Sequence, residues 1–225
     1  MIETRNLIKT FRDGDKETPV LRGIDFRVAK GQYVSIMGRS GAGKSTFLYQ
    51  MSLLDDPTGG EVIIDGHPAA HMSAAEKTRF RLSHFGYVFQ DYALLPDLTA
   101  IENVLLPLLM QGMRKSEARA LAEAALKRLG LSERLHSLPS HLSGGEQQRV
   151  SIARAVAHHP KILFADEPTA NLDSESSRVI MNIFAEIHRE GQTIIMITHE
   201  EQYAKMAEQT ITLEDGRITT TLKNR

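Results

Sequence analysis

The stretch "GRSGAGKST" at residues 38–46 is the most informative part of this sequence. It satisfies the pattern G-x-x-x-x-G-K-[ST], follows the strand-like run "YVSIM" (33–37) and leads into the helix-forming run "KSTFLYQM". The glycines let backbone N–H groups turn toward phosphate, and the helix N-terminus adds a favourable dipole. A Gly-rich corner that only joined a strand to a helix would need neither the amine of Lys44 nor the hydroxyl of Ser45. The stretch therefore predicts a nucleotide site, with Lys44 on the β- and γ-phosphates and Ser45 on Mg²⁺.

The rest of the chain predicts the sheet around this loop. Three further apolar runs of strand length, "GYVF" (86–89), "KILFA" (161–165) and "TIIMIT" (193–198), are separated by helical stretches, which favours parallel β-α-β units. The first 30 residues alternate, and "GEVIIDG" (60–66) ends in a turn signal, so we expect an antiparallel sheet there. We predict one α/β domain over residues 1–225, of the P-loop NTPase class, with a parallel core sheet, an antiparallel β flank and a helical subdomain inserted at about 91–158.

Composition excludes several kinds of partner. The chain has 27 basic and 28 acidic residues and a net charge of −1, so no strongly basic surface is expected for nucleic acid. It has no cysteine and therefore no disulfide. The most apolar stretch, "NVLLPLLM" (103–110), is far too short to span a bilayer. We therefore expect no direct membrane insertion, so that any membrane role would depend on a partner.

Four polar side chains follow predicted core strands. Asp166 and Glu167 end "KILFADE", Gln90 ends "FGYVFQ", and His199 follows "TIIMIT". Alone, acids often end a strand, a single Gln is usually a surface residue, and a single His is usually structural. Ligands of open α/β sheets bind at the carboxyl ends of the strands, so the shared placement favours function. We expect Asp166 to hold Mg²⁺ through a water and Glu167 to take a proton from the attacking water.

A second Gly-rich stretch, "HLSGGEQQR" (141–149), lacks the lysine of a complete phosphate site. Its Ser143, Gly144 and Gly145 precede the amphipathic run "EQQRVSIARAVAHH", and the N-terminus of such a helix attracts anions. The stretch therefore has the features of half a site, one that closes on a γ-phosphate held elsewhere.

Together these residues resemble the ATP-binding subunits of ABC transporters. The motifs "GRSGAGKST", "LSGGEQQ" (142–148), "ILFADEPT" and "NLD" (171–173), with Gln90 and His199, stand in the family's order and spacing. The resemblance covers essentially all 225 residues. It departs at Ala170, where glycine is more frequent, and at Arg39, where proline is frequent; neither change removes a catalytic group.

The resemblance implies an ATPase in which two copies meet head to tail around ATP and Mg²⁺. The residues it implies for nucleotide binding are Phe11, Gly38, Arg39, Ser40, Gly41, Ala42, Gly43, Lys44, Ser45, Thr46, Ser143, Gly144, Gly145 and Asp173. Phe11 would stack on adenine, Asp173 would cross the dimer interface, and the Ser143–Gly145 loop would bind the γ-phosphate of the other copy's ATP. Glu167, His199 and Gln90 would be catalytic, and Ser45, Gln90 and Asp166 would serve the metal.

Within the family the chain resembles the lipoprotein-releasing and macrolide-efflux subgroup (LolD/MacB-like), with the FtsE-like cell-division ATPases next. This implies export or lipoprotein release through a transmembrane permease subunit, on the cytoplasmic face of the cell membrane. The alternative is an ATPase that regulates a membrane partner without transport. A chromosome machine on the same core would need long coiled coils or a basic surface, and the sequence has neither. The stretch after Gln90, with Tyr92, Leu94, Leu95 and Leu98, is expected to include the surface for the membrane partner.

Overall fold

Residues 1–224, which the computed structural model describes, contain ten β-strands and seven α-helices. The strands are β1 (Ile2–Asp13), β2 (Lys16–Val28), β3 (Tyr33–Met37), β4 (Gly59–Ile64), β5 (His67–Pro68), β6 (Phe85–Val88), β7 (Ile162–Asp166), β8 (Thr193–Ile197), β9 (Gln209–Glu214) and β10 (Arg217–Lys223). The helices are α1 (Lys44–Met51), α2 (Ala74–His84), α3 (Ala100–Met110), α4 (Lys115–Arg128), α5 (Gly144–Val156), α6 (Ser174–Arg189) and α7 (Glu201–Ala204). The chain forms two compact units: unit 1 is Met1–Thr78 with the chain from Gly191 onward, and unit 2 is Arg79–Glu190.

The antiparallel flank predicted from the alternating N-terminal residues is confirmed in unit 1. Its strands lie in the order β2–β1–β4–β5, and β1 pairs with β2 from Ile2 opposite Val28 to Asp13 opposite Lys16. One face of this sheet is buried and largely apolar, with Ile2 and Leu7 of β1 and Leu21, Ile24 and Val28 of β2 all enclosed. Phe26 of β2 meets Phe47 of α1 edge to face, with ring centroids 5.5 Å apart. The flank therefore packs on the helix that follows the phosphate-binding loop.

The strand that leads into this loop lies in the second sheet of unit 1. β3 pairs in parallel with β8 on one side and with β9 on the other, and β10 closes the edge antiparallel to β9. All five residues of β8 and the first four of β3 are buried, which explains their continuous apolar sequences. Ile36 lies opposite Ile197, so β3 and β8 end at the same edge of the sheet.

Unit 2 combines a parallel strand pair with four long helices. β6 and β7 pair in parallel from Phe85 opposite Ile162 to Val88 opposite Ala165. α3 begins with a capping box, in which the Thr99 hydroxyl and the Glu102 carboxylate each bond the other's backbone N–H. The predicted helical region at about 91–158 falls within the range of this unit and contains α3, α4 and α5. That it forms an inserted subdomain of a single domain stays a prediction.

Candidate nucleotide-binding site

The predicted phosphate loop runs from the end of β3 to the first residue of α1, as expected. Gly38 has φ +149°, and a Cβ there would lie 2.2 Å from the carbonyl oxygen of Leu213, so no other residue fits. Gly43 caps α1 with φ +97°, and a Cβ there would lie 3.1 Å from the Val20 carbonyl oxygen. The backbone of the loop therefore requires glycine at both Gly38 and Gly43.

Lys44 is held inside this loop. Its ammonium donates to the carbonyl oxygens of Gly38 at 3.0 Å and Arg39 at 3.2 Å, and the residue is only 9% exposed. The first turn of α1, all within the described part of the chain, has no acidic side chain. A positive charge at a helix N-terminus without acids is chemistry that suits a phosphate. The arrangement therefore fits the group that the sequence predicts.

His199 lies near the same loop. It follows β8, is exposed, and lines a cavity of about 490 Å³ with Gly38 and Arg39. Phe11, the residue expected to stack on adenine, is near the end of β1 and is 47% exposed. Unit 1 thus carries the predicted phosphate loop, His199 and Phe11.

The predicted acids lie in unit 2. Asp166 is the last residue of β7 and is 6% exposed, and Glu167 follows it with the left-handed φ of +43°. Such a backbone is uncommon for a residue other than glycine and concentrates at functional sites. Gln90 follows β6, the parallel neighbour of β7, so the strands direct all three residues to one edge. The placement within unit 2 agrees with the prediction from the sequence.

Ser143 is exposed, and its side chain begins α5. Its Oγ accepts from the backbone N–H of Glu146 at 3.2 Å, and the Glu146 carboxylate accepts from the Ser143 N–H at 2.8 Å. These bonds, with Arg134 donating to the other carboxylate oxygen at 2.9 Å, hold the pKa of Glu146 below its usual value. The sequence predicts phosphate binding for Ser143, and its S-x-x-E spacing is also that of a capping box. Its hydroxyl therefore has a structural role in the isolated chain.

The two glycines after Ser143 are closely approached by side chains. A Cβ on Gly144 would lie 2.9 Å from the Tyr92 hydroxyl, and one on Gly145 would lie 3.0 Å from Ser176 Oγ. Glycine therefore lets the start of α5 approach these two side chains. Tyr92 is half-buried, whereas the sequence predicts that it lies on an exposed surface for the membrane partner.

Asp173 also caps a helix. Its carboxylate accepts from the backbone N–H groups of Glu175 and Ser176, both at 2.9 Å, and starts α6. The bonds from Ser176 contribute most to a pKa of Asp173 below its usual value. The residue is exposed, and its role at a dimer interface stays a prediction.

The loop after Gln90 is fixed by residues that sequence reasoning missed. Arg154 of α5 donates to the carbonyl oxygens of Tyr92, at 2.8 Å, and Ala93. Asn171 donates to the Gln90 carbonyl oxygen at 3.1 Å and accepts at 3.4 Å from the Tyr92 hydroxyl. Tyr92 and Ala93 both have positive φ, of +65° and +46°, so these bonds support a strained turn.

An apolar groove of about 270 Å³ lies beside this loop in unit 2. Among its apolar residues, Leu95 is 45% exposed, Leu106 37% and Met110 64%. Its lining, which we call the unit 2 groove, consists of Leu82, Phe85, Gly86, Tyr87, Phe89, Leu95, Asn103, Leu106, Pro107, Met110, Arg154, Ala155 and His158. Within residues 1–224, no helix is both long and apolar enough to cross a membrane.

Comparison with known proteins places these observations in one family. A family model described as "ABC transporter" matches residues 21–170. The chain is 46% identical to an uncharacterized ABC transporter ATP-binding protein of Methanocaldococcus jannaschii, over 97% of both chains. The chain therefore belongs to the ABC transporter family and is an ATPase subunit of that class.

The subgroup predicted from the sequence is confirmed by further relatives. The chain is 44% identical to the lipoprotein-releasing system ATP-binding protein LolD of Aquifex aeolicus, over 97% of this chain and 96% of that one. It is 43% identical to the macrolide export ATP-binding/permease protein MacB 2 of Aeromonas hydrophila, but covers 34% of that protein, about a third of its length.

A solved structure supports the fold. This structure, a post-hydrolysis dimer of the ATP-binding cassette MJ0796 bound to ADP and Pi, superposes with a TM-score of 0.93 at 39% identity and covers 100% of this chain and 99% of that one. The predicted ABC ATPase fold is therefore confirmed.

Proposed function

We propose that this chain is the ATP-hydrolysing subunit of an ABC transporter of the export or lipoprotein-release type. It dimerises on ATP and drives a separate transmembrane permease subunit. The observation that carries the proposal is the phosphate loop, in which Lys44 is held by two backbone carbonyls at the N-terminus of α1. The likeness to LolD, which covers nearly the full length of both chains, supports the release type.

The predicted site residues divide the work of binding and hydrolysis between them. The amides of residues 38–46 and the Lys44 ammonium bind the phosphates, and Phe11 stacks on adenine. Glu167 accepts the proton of the attacking water, while His199 contacts the γ-phosphate and positions that water. Ser45, Gln90 and Asp166 would hold Mg²⁺, which neutralises charge on the phosphates. Oxygen donors of this kind suit that ion.

The dimer is proposed because half of the phosphate chemistry lies on α5. The Ser143–Gly145 loop begins a long helix, and its N-terminus can bind a γ-phosphate held by the other copy. Asp173 would cross between the copies. The likeness to a cassette solved as a dimer with ADP and Pi supports this arrangement.

The unit 2 groove is proposed as the surface for the permease. Leu95, Leu106 and Met110 present apolar side chains to solvent there, and a short helix of a membrane subunit would cover them. The MacB relative is named as an ATP-binding and permease protein, with both functions in one longer chain. Here the permease would be a separate chain, which would hold this subunit at the cytoplasmic face of the cell membrane.

The variant Glu167→Gln tests the mechanism directly. It keeps the size of the side chain but removes the base, so ATP hydrolysis should fall about 10²- to 10⁴-fold. ATP binding should survive, and the ATP-bound dimer should accumulate because its hydrolysis is blocked. Gel filtration with and without ATP measures this. A variant that binds ATP and stays monomeric would refute the head-to-tail dimer.

A further inference from the structure

Lys9 is a buried lysine beside the residue expected to meet adenine. It is on β1, two residues before Phe11. Lys9 is 8% exposed, and its ammonium lies 5.0 Å from the centroid of the Phe11 ring. This is within the range of a cation–π interaction, which is stronger when the cation is removed from water.

The ammonium is fixed by two short hydrogen bonds. Lys9 Nζ donates to Asp55 Oδ1 at 2.7 Å and to the backbone oxygen of Asp56 at 2.6 Å. A lysine is rarely buried unless it is paired, and these two bonds provide the pairing. The position of the charge under the Phe11 ring is therefore set by the fold rather than by the flexible lysine stem.

The same network reaches the helix that begins at Lys44. Asp55 Oδ2 accepts from Gln50 Nε2 at 2.9 Å, and Gln50 is a fully buried residue of α1. A continuous path of contacts thus runs from Phe11 through Lys9 and Asp55 to α1. At one end of this path is the Phe11 ring, which is expected to stack on the base. At the other end is α1, which begins at the phosphate-binding loop.

We propose that Lys9 is a positioning residue for the nucleotide base: it fixes the Phe11 ring relative to α1 and so sets the distance between the adenine and phosphate subsites. The proposal rests on the proposed function, in which Phe11 stacks on adenine. Phe11 is 47% exposed, so without this contact its ring would lose more conformational freedom on binding the base. If the ion pair of Lys9 only stabilised the fold, its effect on nucleotide affinity would not depend on Phe11.

The test is a double-mutant cycle measured by titration with ADP, which contains the base but no γ-phosphate. Lys9→Met keeps the length of the side chain and removes the charge. It should weaken ADP binding about 3- to 10-fold in the wild-type background. In the Phe11→Ala background the same substitution should have no effect, because the ring through which Lys9 acts is gone. In steady-state hydrolysis, KM for ATP should rise while kcat stays within about twofold.

Lys77 provides a matched control. It also forms an ion pair near this network, with Asp56, and its side chain is 15% exposed, but the pair is not beneath Phe11. Lys77→Met should leave ADP affinity within about twofold of wild type, since its ion pair is with a largely exposed carboxylate. Asp55→Asn is a second test. It retains the Lys9 charge but weakens the hydrogen bond that fixes the ammonium, so ADP affinity should fall less, by about 2- to 3-fold.

The outcomes separate this proposal from the function on which it rests. Equal weakening by Lys9→Met in both backgrounds, or weakening by Lys77→Met to the same degree, would make Lys9 a purely structural residue and overturn the proposal. No weakening by either Lys9→Met or Asp55→Asn would also overturn it. If Phe11→Ala itself leaves ADP affinity unchanged, adenine stacking fails and this proposal fails with it. Loss of binding in Lys44→Ala would still support the phosphate site.

Discussion

Substitutions at Ser143 should separate its helix cap from its proposed contact with phosphate. In the isolated chain the hydroxyl caps α5 through the N–H of Glu146. Ser143→Ala removes that cap and should cost about 1 kcal/mol of stability. For a chain of 225 residues this corresponds to a fall in Tm of about 2–4 °C. Asn and Asp are caps as good as Ser, so Ser143→Asn and Ser143→Asp should leave Tm close to wild type.

The charge of Ser143→Asp should act on the dimer alone. A carboxylate at this position would face the γ-phosphate held by the other copy, and like charges close together in a site shielded from water repel strongly. We therefore expect the aspartate substitution to abolish the ATP-dependent dimer, while the asparagine substitution weakens it less. The glutamate-to-glutamine change at 167, made in the same chain, prevents hydrolysis during the measurement.

Two measurements decide the matter: thermal unfolding without nucleotide, and gel filtration with ATP. A Ser143→Asp chain that is as stable as wild type and still forms the dimer would show that Ser143 does not meet the γ-phosphate. A Ser143→Ala chain with unchanged Tm would show that the cap contributes nothing to stability.

Three further predictions concern binding, coupling and pH. ATP at about 100 times its Kd should add about 2.7 kcal/mol of stability, and Lys44→Ala should abolish most of this thermal shift; an unchanged shift would exclude the loop as the site. Met110→Glu should keep basal ATPase but prevent co-purification with the permease, whereas Val179→Glu, at an exposed position outside the unit 2 groove, should not; equal behaviour of the two would refute the groove as the docking surface. Folding lowers the pKa of Asp173 and of Glu146. Their ionised carboxylates therefore contribute fully to the free energy of unfolding above the unfolded pKa values near 4. This contribution is lost as the pH falls through the lower pKa values of the folded state. Asp173→Asn should therefore flatten the fall in stability in this acid range, measured by denaturant titration, and an unchanged slope would contradict the shift.

The phosphate loop and the buried core strands were predictable because their signals are local. A run of consecutive residues specifies the loop, and β3, β7 and β8 are buried along their whole lengths or nearly so, which makes their apolar sequences conspicuous. The capping box at Ser143 was equally local, since the glutamate stands three positions later. The same residues also match a phosphate-binding loop, so the sequence alone does not show that the hydroxyl caps the helix.

The contacts that fix the side chains of the site were not predictable, because they join distant parts of the chain. Lys9 and Asp55 are 46 residues apart, and Arg154 and Tyr92 are 62 apart. A single sequence does not indicate which of these distant residues bond to each other. Each residue type is common, and each side chain could form its hydrogen bonds with water instead. The fold alone brings them together, and their burial then makes the pairing favourable.

Tyr92, in the loop after Gln90, connects the unit 2 groove with the start of α5. The sequence predicts that Tyr92 belongs, with the nearby leucines, to the region that meets a partner, but its hydroxyl lies against Gly144 and the backbone of Asn171. Arg154 lines the groove and also binds the carbonyl oxygen of Tyr92. A partner that moved Arg154 would therefore have to break or carry along a hydrogen bond to the residue that touches Gly144. Within unit 2 the unit 2 groove is thus connected to the Gly-rich loop by direct contacts through Arg154 and Tyr92.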